Sequence, residues 1–391
     1  MTERERVLAA LRGDVPDRLP WVPRLEFWYR ARLRNGTLPV EFQSLSLSEI
    51  VDRMGIGYYA VLPDRTESAD EYGVVDSALG IFRSTATPFD VILENVERRF
   101  TQTGSRTVVE YETPVGTLRT VTVFTDEMLN AGASIPWVAE PAIREPRDFE
   151  TAGYVFSHLK VVPRPERYLA IQDSVGARGI AVANVSGTAG PVHHIMKQLM
   201  KTEQFFYALA DYPEKVHALA EQMQPYYDDI QRIAADLPAE SVMLGGNYDD
   251  GITNPPFFSK YILPCLRGYA ETVHQRGKYL MTHTDGENRK LLKLYLDAGF
   301  DVADSVCPHP MTSCRLEEYR EAFGDRISIW GGIPSVLLCP SSASWEDFRS
   351  YVDDVIDRYT GKSHLVLGVS DMVTADADYD RLTYISEKIL A

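Results

Sequence analysis

Cysteine is scarce in this chain, which excludes a fold held together by disulfides. The 391 residues include only four cysteines, whereas disulfide scaffolds are short chains with dense, paired cysteines. We therefore expect four reduced thiols, mostly buried. They are Cys265, Cys307, Cys314 and Cys339.

Positive charge and long apolar runs are also in short supply. The chain has 40 basic and 56 acidic residues and a formal net charge of −16, which repels a phosphate backbone. No segment approaches the roughly 20 apolar residues that cross a bilayer, and the opening residues lack the apolar centre of a signal peptide. These absences predict a soluble, cytoplasmic protein that binds neither nucleic acid nor membrane.

From residue 179 onward, short apolar runs alternate with amphipathic helical patterns, which is typical of βα units and a parallel sheet. No glycine-rich nucleotide fingerprint follows any of these runs, and this disfavours a doubly wound open sheet. We predict an α/β fold, a (β/α)8 TIM barrel that forms one domain over residues 1–391. The predicted strands are Gly179–Val185, Val242–Gly246, Tyr279–Thr282, Val302–Val306, Ile327–Trp330 and Leu365–Gly368.

The amino-terminal part adds other β elements. Short strands are predicted at Leu19–Arg24 and Tyr58–Leu62. Two β-branched runs flank Pro114-Val-Gly116, and this pattern predicts an antiparallel hairpin inserted at about residues 96–125.

Ionisable residues follow the predicted strands, at the end where an α/β barrel keeps its chemistry. The richest stretch is HTDGEN, residues 283–288. Histidine, cysteine and carboxylates on separate strands can supply three ligands and leave a fourth position open, as in a catalytic zinc site, although other first-row metals also fit. In chain order the strand-end residues are Tyr248, Asp249 and Asp250, then His283 and Asp285, Cys307 and His309, Gly331 to Pro334, and Ser370 and Asp371.

Each of these residues also fits a purely structural role. Asp285 suits the N-cap of a helix that starts two residues later, and Asp250 precedes a glycine in a turn-like context. Cys307 suits a buried, inert thiol, and His309 suits an ordinary loop histidine. His283 would serve as a hydrogen-bonded core histidine, but its acidic neighbours favour a site residue.

An aromatic run follows the first predicted strand. Residues 21–30 mix Trp28 and Tyr29 with the charged Arg24 and Arg30. An aromatic wall with a few charges suits an amphipathic organic ligand. The alternative is a core strand that passes into a surface helix.

Several motifs spread over nearly the whole chain resemble those of the uroporphyrinogen decarboxylase superfamily, which also contains the cobalamin-dependent (corrinoid) methyltransferases and O-demethylase components. The resemblance implies a (β/α)8 barrel with its active site at the mouth. The motifs are Arg4-Glu-Arg-Val-Leu-Ala-Ala-Leu-Arg-Gly with Pro16-Asp-Arg, Tyr111-Glu-Thr-Pro-Val-Gly-Thr-Leu-Arg, Gly246-Asn-Tyr-Asp-Asp-Gly, His283-Thr-Asp-Gly-Glu-Asn, Phe323-Gly-Asp-Arg with Trp330-Gly-Gly-Ile-Pro, and Leu367-Gly-Val-Ser-Asp.

Two departures help to place the chain within that superfamily. The porphyrinogen decarboxylases have Arg-Gln-Ala-Gly-Arg-Tyr after the first strand, whereas here the second arginine position is Trp28. This change removes a cationic clamp for a substrate that carries many carboxylates. Their histidine in Leu-Gly-His-Gly corresponds to Val369. We therefore do not expect porphyrinogen decarboxylation.

The zinc methyltransferases of the superfamily have a His-x-Cys pair and a distant cysteine near the carboxyl terminus. Here His283 remains, Asp285 occupies the first thiol position, and Asp371 is the nearest candidate for the last. The resemblance implies a carboxylate-rich zinc site, of the kind found in the O-demethylase branch, with a metal more Lewis acidic than one bound by thiolates. The predicted metal ligands are His283, Asp285 and Cys307.

The leading hypothesis is a corrinoid-dependent methyltransferase of the O-demethylase type. A small methylated compound, a methyl ether or a methylamine, binds in the barrel, and His283, Asp285 and Asp250 are the predicted catalytic residues that activate its heteroatom. Cob(I)alamin on a partner corrinoid protein then accepts the methyl group, with catalysis by alignment and by charge stabilisation. The predicted substrate contacts are Arg24, Trp28, Tyr29, Arg30, Tyr248, His309 and Asp371.

Two other hypotheses remain open. One is a metal-free carboxy-lyase that acts on a small acid or a tetrapyrrole, with Arg24 or Arg30 holding a carboxylate. The other is a barrel that binds a tetrapyrrole or corrinoid without catalysis. The chain lacks the Asp-x-His-x-x-Gly pattern of a cobalamin ligand, which favours a separate corrinoid protein as partner. A homodimer is also left open.

Overall fold

A computed structural model describes residues 1–62, 75–82, 84 and 86–391. The predicted domain, residues 1–391, also includes positions that lie outside the described residues. The strands of the described part, β1 to β13, are Tyr58–Leu62, Phe89–Leu93, Glu97–Thr103, Arg106–Thr113, Gly116–Val123, Trp137–Glu140, Leu159–Pro163, Gly179–Ser186, Ser241–Gly246, Tyr279–His283, Val302–Val306, Ser328–Ile333 and Leu365–Val369.

The α-helices of the described part surround these strands. Two π-helical turns, Ile195–Leu199 and Phe258–Ile262, interrupt the helical segments. The helices, α1 to α15, are Glu3–Arg12, Glu26–Arg34, Leu47–Met54, Asp126–Asn130, Asp148–Ser157, Pro165–Val175, Pro191–His194, Thr202–Asp211, Pro213–Asp236, Pro255–Phe257, Leu263–His274, Leu292–Ala298, Leu316–Phe323, Trp345–Tyr359 and Tyr379–Leu390.

A curled parallel sheet of seven strands forms the centre of the protein, in the order β1-β8-β9-β10-β11-β12-β13. Each neighbouring pair is parallel, as βα crossovers require. The prediction of an α/β barrel is therefore confirmed, and its six predicted strands from residue 179 onward are present with end points shifted by a few residues.

The eighth position of the barrel is filled by a short extended segment in place of a full strand. Trp21 forms an isolated parallel bridge with Leu367 of β13, and its carbonyl accepts a hydrogen bond from Gly57, just before β1. The predicted strand Leu19–Arg24 is reduced to this bridge because Pro20 and Pro23 lack the N–H groups that a longer ladder needs.

Helix α1 closes the amino-terminal end of the barrel. Its apolar residues Val7, Ala10 and Leu11 pack in one buried cluster with Tyr59, Met281 and other side chains that fill the interior. Because this end is plugged, the carboxyl ends of the strands form the open mouth, which is where barrel enzymes carry their active sites.

A second, antiparallel sheet of four strands lies outside the barrel order, with β3, β4, β5 and β6 side by side. The two β-branched runs recognised in the sequence are β4 and β5, which pair from Arg106 with Val123 to Thr113 with Gly116. The sheet extends beyond the predicted hairpin, because β3 and β6 add to its two sides. Its description as an insertion stays a prediction. All four cysteines are free.

No helix within the described ranges is both long and apolar enough to cross a membrane.

Candidate active site

Three ionisable side chains from two strand ends meet at the mouth of the barrel. His283 is the last residue of β10, Asp285 lies two residues further on, and Asp371 lies two residues beyond β13. The Nε2 atom of His283 is 3.5 Å from Oδ1 of Asp285 and 3.4 Å from Oδ1 of Asp371. One donor atom of each residue lies within 4.8 Å of the other two. We call these three residues the mouth cluster.

A fourth carboxylate orients the histidine from behind. Asp304 lies in β11, is fully buried, and accepts a hydrogen bond of 2.7 Å from Nδ1 of His283. The hydroxyl groups of Tyr59 and Ser305 donate to the same carboxylate at 3.0 and 3.2 Å. Because Nδ1 donates to Asp304, the Nε2 atom faces the other two carboxylates, as in the carboxylate–histidine–metal arrangements of metalloenzymes.

The backbone around the cluster adopts unusual conformations. Of the five non-glycine residues with positive φ among those described, Asn247, Ser305 and Asp371 border the site, with φ of 58°, 59° and 59°. Strand register also shifts next to His283 and next to Asp304. Bulges and positive φ values concentrate at functional sites, where they re-aim side chains. Here they turn the strand ends toward a common point.

Asp285 is held by the loop after β9 and does not cap a helix. The next helix, α12, begins at Leu292, so the predicted N-cap role of Asp285 is wrong. Its two oxygens instead accept hydrogen bonds of 2.6 and 2.7 Å from Nδ2 of Asn247. Gly246, directly before Asn247, permits the close approach of the end of β9 to His283, because a Cβ atom at Gly246 would lie 2.9 Å from Cβ of His283.

The mouth cluster concentrates negative charge around one imidazole ring. Burial disfavours the charged ring, but hydrogen bonds to Asp304 and Asp371 and the charge of Asp285 outweigh it and raise the pKa of His283 to about 10. Burial also opposes ionisation of Asp371, yet the hydrogen bond and charge of His283 and the charge of Arg24 lower the pKa of Asp371. In the absence of a metal, a protonated His283 therefore balances part of the carboxylate charge.

The cluster also fits a divalent metal ion. Zinc binds histidine nitrogen and carboxylate oxygen at about 2.0–2.2 Å in a tetrahedron, which separates the ligand atoms by about 3.4 Å. The 3.4 and 3.5 Å separations around Nε2 of His283 match this spacing. Two carboxylates and a neutral imidazole would balance the charge of the ion and leave a fourth position open for a substrate.

A cavity of about 820 Å³ adjoins the mouth cluster and is bordered by Arg24, Arg30, Asn184, His283 and Asp371, among others. Such a volume suits a small organic ligand. The Nε atom of Arg24 and the Oδ1 atom of Asn184 are both buried with no hydrogen-bond partner. These two atoms offer one donor and one acceptor to a ligand.

Three aromatic residues predicted to contact substrate do not border this cavity. Trp28 is fully buried and donates from Nε1 to the carbonyl of Ala377. Tyr29 donates to the carbonyl of Leu45. Tyr248 is fully buried, and its hydroxyl is 2.9 Å from that of Thr282. Four residues of the aromatic run line the cavity, namely Arg24, Glu26, Phe27 and Arg30.

The remaining predicted site residues lie outside the mouth cluster. The carboxylate of Asp250 accepts from both the backbone N–H and the Nζ atom of Lys290, so it holds the loop. His309 is exposed on a loop. Cys307 is buried, donates to the carbonyl of Ser305, and has a thiol pKa raised to about 12 by burial and by the nearby charges of Asp285 and Asp371. Cys307 was predicted as the third metal ligand, but the third member of the mouth cluster is Asp371.

Sequence reasoning did not select Asp304, Tyr59 or Asn247. Asp304 stands in the apolar run Val302-Ala-Asp-Ser-Val, and a carboxylate inside a buried strand requires a partner. That signal was present in the sequence. Tyr59 and Asn247 carry no comparable signal, because each becomes important only through a residue distant in the chain.

A parallel barrel with clustered ionisable groups at its open mouth is the architecture of a barrel enzyme. Residues 130–389 match the model of the family Uroporphyrinogen decarboxylase (URO-D). The chain therefore belongs to the URO-D family, and membership in this enzyme family supports an enzymatic function.

Comparison with solved structures supports the same fold. A methyltransferase from Methanosarcina mazei superposes with a TM-score of 0.54 at 12% sequence identity, over 100% of both chains. An isomerase from Streptomyces coelicolor A3(2) matches 68% of this chain and 69% of its own at 10% identity, with a TM-score of 0.21 that is too low to indicate a shared fold. No curated protein sequence matches this chain.

Proposed function

We propose that this protein is a corrinoid-dependent methyltransferase of the O-demethylase type. In this proposal it transfers the methyl group of a small methylated compound, a methyl ether, to cob(I)alamin carried by a partner corrinoid protein. The supporting observation is the mouth cluster, with His283 oriented by Asp304 and facing two carboxylates. The shared fold of the Methanosarcina mazei methyltransferase is compatible with this assignment.

The residues of the mouth cluster would hold a zinc ion through Nε2 of His283 and one oxygen each from Asp285 and Asp371. A bound zinc ion would supply Lewis acidity toward the oxygen of a methyl ether. Asp304 keeps Nδ1 of His283 protonated, so that the lone pair of Nε2 is directed at the metal position. Arg24 and Asn184 provide hydrogen-bonding groups to orient the rest of the substrate.

The proposed reaction uses the methyl ether, cob(I)alamin and one proton from water. The bond between the methyl carbon and the ether oxygen would break, and its electron pair would stay on the oxygen, which would leave as an alkoxide or phenoxide and then take that proton from water. The methyl carbon would form a new bond to cobalt, and cob(I)alamin would supply both electrons of that bond. The protein contributes alignment of the two reactants and stabilisation of the charge that develops on oxygen.

The first test is the zinc content of protein purified without chelators, compared with His283→Ala. We expect about one zinc ion per chain in the wild type and loss of that zinc in the variant. His274→Ala is the matched control, because His274 makes a surface pair of 2.8 Å with Asp301 outside the cluster, and it should keep its zinc.

The second test is methyl transfer to cob(I)alamin, measured by absorbance with a panel of aryl methyl ethers and methylamines. Zinc-loaded protein should methylate cob(I)alamin with at least one ether, and His283→Ala should not. Lack of transfer across the panel, with an intact corrinoid partner present, would refute the proposed reaction.

A metal-free carboxy-lyase is the second candidate, and the environment of Arg24 favours it. Its guanidinium borders the cavity with a buried Nε atom that has no partner, so it is available to bind the carboxylate of a small acid. Decarboxylation that survives chelation and is lost in Arg24→Met would support this candidate. Activity that disappears with zinc removal would exclude it.

A further inference from the structure

We infer that Asn247 is a positioning residue for the mouth cluster and that Lys197 fixes the orientation of its side-chain amide. The inference rests on the proposed function, because it concerns the residues that would bind the metal. It assigns a role to two residues that bind neither metal nor the transferred methyl group in the proposed mechanism.

Asn247 contacts both residues that β10 and its loop contribute to the cluster. It follows directly after β9, and its backbone N–H donates to the carbonyl of His283 at 3.0 Å. Its Nδ2 atom donates to both oxygens of Asp285, at 2.6 and 2.7 Å. One residue therefore determines the backbone position of one proposed ligand and the carboxylate orientation of another.

The amide of Asn247 has only one chemically acceptable orientation. The Nζ atom of Lys197 donates to Oδ1 of Asn247, and an ammonium group can only donate, whereas the carboxylate of Asp285 can only accept. If the amide rotated by half a turn, its N–H donors would face the ammonium group of Lys197 and its oxygen would face the carboxylate of Asp285, and neither pair could form a hydrogen bond. Lys197 thereby keeps Nδ2 directed at Asp285.

Lys197 reaches Asn247 from an unusual helical turn. It lies in the π-helical segment Ile195–Leu199, and π turns are frequent at functional sites. Its Nζ atom also lies 3.3 Å from the carbonyl oxygens of Gly187 and Gly246, at the ends of β8 and β9. Lys197 thus links two neighbouring strand ends to the loop that holds Asp285.

The backbone conformation permits a clean deletion of the Asn247 side chain. Asn247 has a φ of 58°, a region in which asparagine is tolerated and glycine is unstrained. Asn247→Gly therefore removes both hydrogen bonds to Asp285 and the contact with Lys197, while the backbone contact to His283 can persist. An alanine at this position would add backbone strain, so that its effect on zinc binding could not be assigned to the lost hydrogen bonds alone.

Without the Asn247 amide, the carboxylate of Asp285 would lose the two hydrogen bonds that fix its rotation. Its negative charge would then be less well stabilised next to the negative charge of Asp371. Loss of a partner that orients a ligand typically weakens metal binding by about 10–100-fold. We expect this loss for Asn247→Gly. Lys197→Met should weaken zinc binding in the same direction but less, and Lys197→Arg, which keeps the cationic donor, should restore most of the affinity.

The experiment measures zinc dissociation constants by chelator competition for the wild type, Asn247→Gly, Lys197→Met and the double variant. If Lys197 acts through Asn247, the double variant should bind zinc as weakly as Asn247→Gly alone. Two controls have similar chemistry outside the mouth cluster: Asn35→Gly, whose amide donates to the carbonyl of Asn130 at 3.0 Å, and Lys388→Met, which loses a surface pair of 3.2 Å with Asp353. Thermal unfolding of the metal-free variants monitors folding.

The outcomes separate this inference from the proposed function. Zinc binding that is lost in His283→Ala but unchanged in a folded Asn247→Gly would overturn the role of Asn247 alone. A wild type that binds no zinc would overturn the metal site of the proposed function, and this inference with it. Fully additive losses in the double variant would show that Lys197 acts through the strand ends, and would overturn its assigned role.

Discussion

Replacing Asp304 with asparagine tests how the charge behind His283 controls the site. Asp304→Asn keeps the size of the side chain and keeps an oxygen that can accept from Nδ1 of His283. In the wild type this hydrogen bond is 2.7 Å long. The new amide can donate to the hydroxyl of Tyr59, which presently donates to Oδ1 at 3.0 Å. The substitution therefore removes one buried negative charge and little else.

The expected effect is a lower pKa of His283. A hydrogen bond to a charged partner contributes about 1.5–3 kcal/mol, and about 1.4 kcal/mol corresponds to one unit of pKa. The pKa of His283 is raised to about 10, against the opposing effect of burial, by Asp304, Asp371 and Asp285 together. Loss of the Asp304 charge should lower it by about 1–2 units, to roughly 8–9.

The assay is a pH titration of metal-free protein labelled at the histidine rings, followed by nuclear magnetic resonance. The chain has eight histidines, and His283→Gln identifies the resonance of His283. His274→Gln, which changes a surface histidine paired with Asp301, serves as a control for the assignment. An unchanged His283 pKa in a folded Asp304→Asn protein would refute the claim that Asp304 supplies part of the stabilisation of the charged ring.

Two further predictions concern the protonation of His283, and a third concerns the loop that Asp250 holds. Zinc affinity should rise about tenfold per pH unit up to pH about 10, because the ring of His283 must lose a proton before it binds metal; an affinity independent of pH between 6 and 9, measured by chelator competition, would contradict this. The metal-free protein should lose stability toward denaturant as pH rises from about 6.5, the pKa of histidine in the unfolded chain, to about 10, the pKa of His283 in the folded protein. The protonated ring stabilises the folded state, and this contribution disappears as His283 loses its proton, so His283→Gln should abolish this dependence of stability on pH. Asp250→Ala should lower the free energy of unfolding in urea by about 1–3 kcal/mol, because the backbone N–H of Lys290 loses its acceptor. Zinc affinity should stay within twofold of the wild type, and a large loss of zinc affinity would show that Asp250 takes part in the metal site.

The sequence was sufficient to predict the barrel because the periodicity of its strands is a local property. Apolar runs such as Leu365–Val369 are buried over their whole length, and a strand covered on both faces has an apolar sequence regardless of its neighbours. The exception was the segment around Trp21, where the strand pattern was correct but two prolines limited its hydrogen bonds to a bridge.

The sequence also determined where ionisable groups occur, and His283 and Asp285 were recognised from their own neighbourhood. It could not determine which distant residue would join them. Asp371 and Cys307 each follow a strand at similar spacing, but Asp371 has a positive φ and joins the mouth cluster, whereas the thiol of Cys307 donates to the carbonyl of Ser305. These are properties of the folded backbone.

The tertiary structure alone decided the partners of each proposed ligand. Asp304 meets His283 because β10 and β11 are parallel neighbours, and Asn247 meets Asp285 because β9 lies on the other side of β10. A sequence records the polarity of each residue, which fixes the strands and helices. The pairing of side chains across strands depends on register and on bulges, which are properties of paired strands and not of one strand alone.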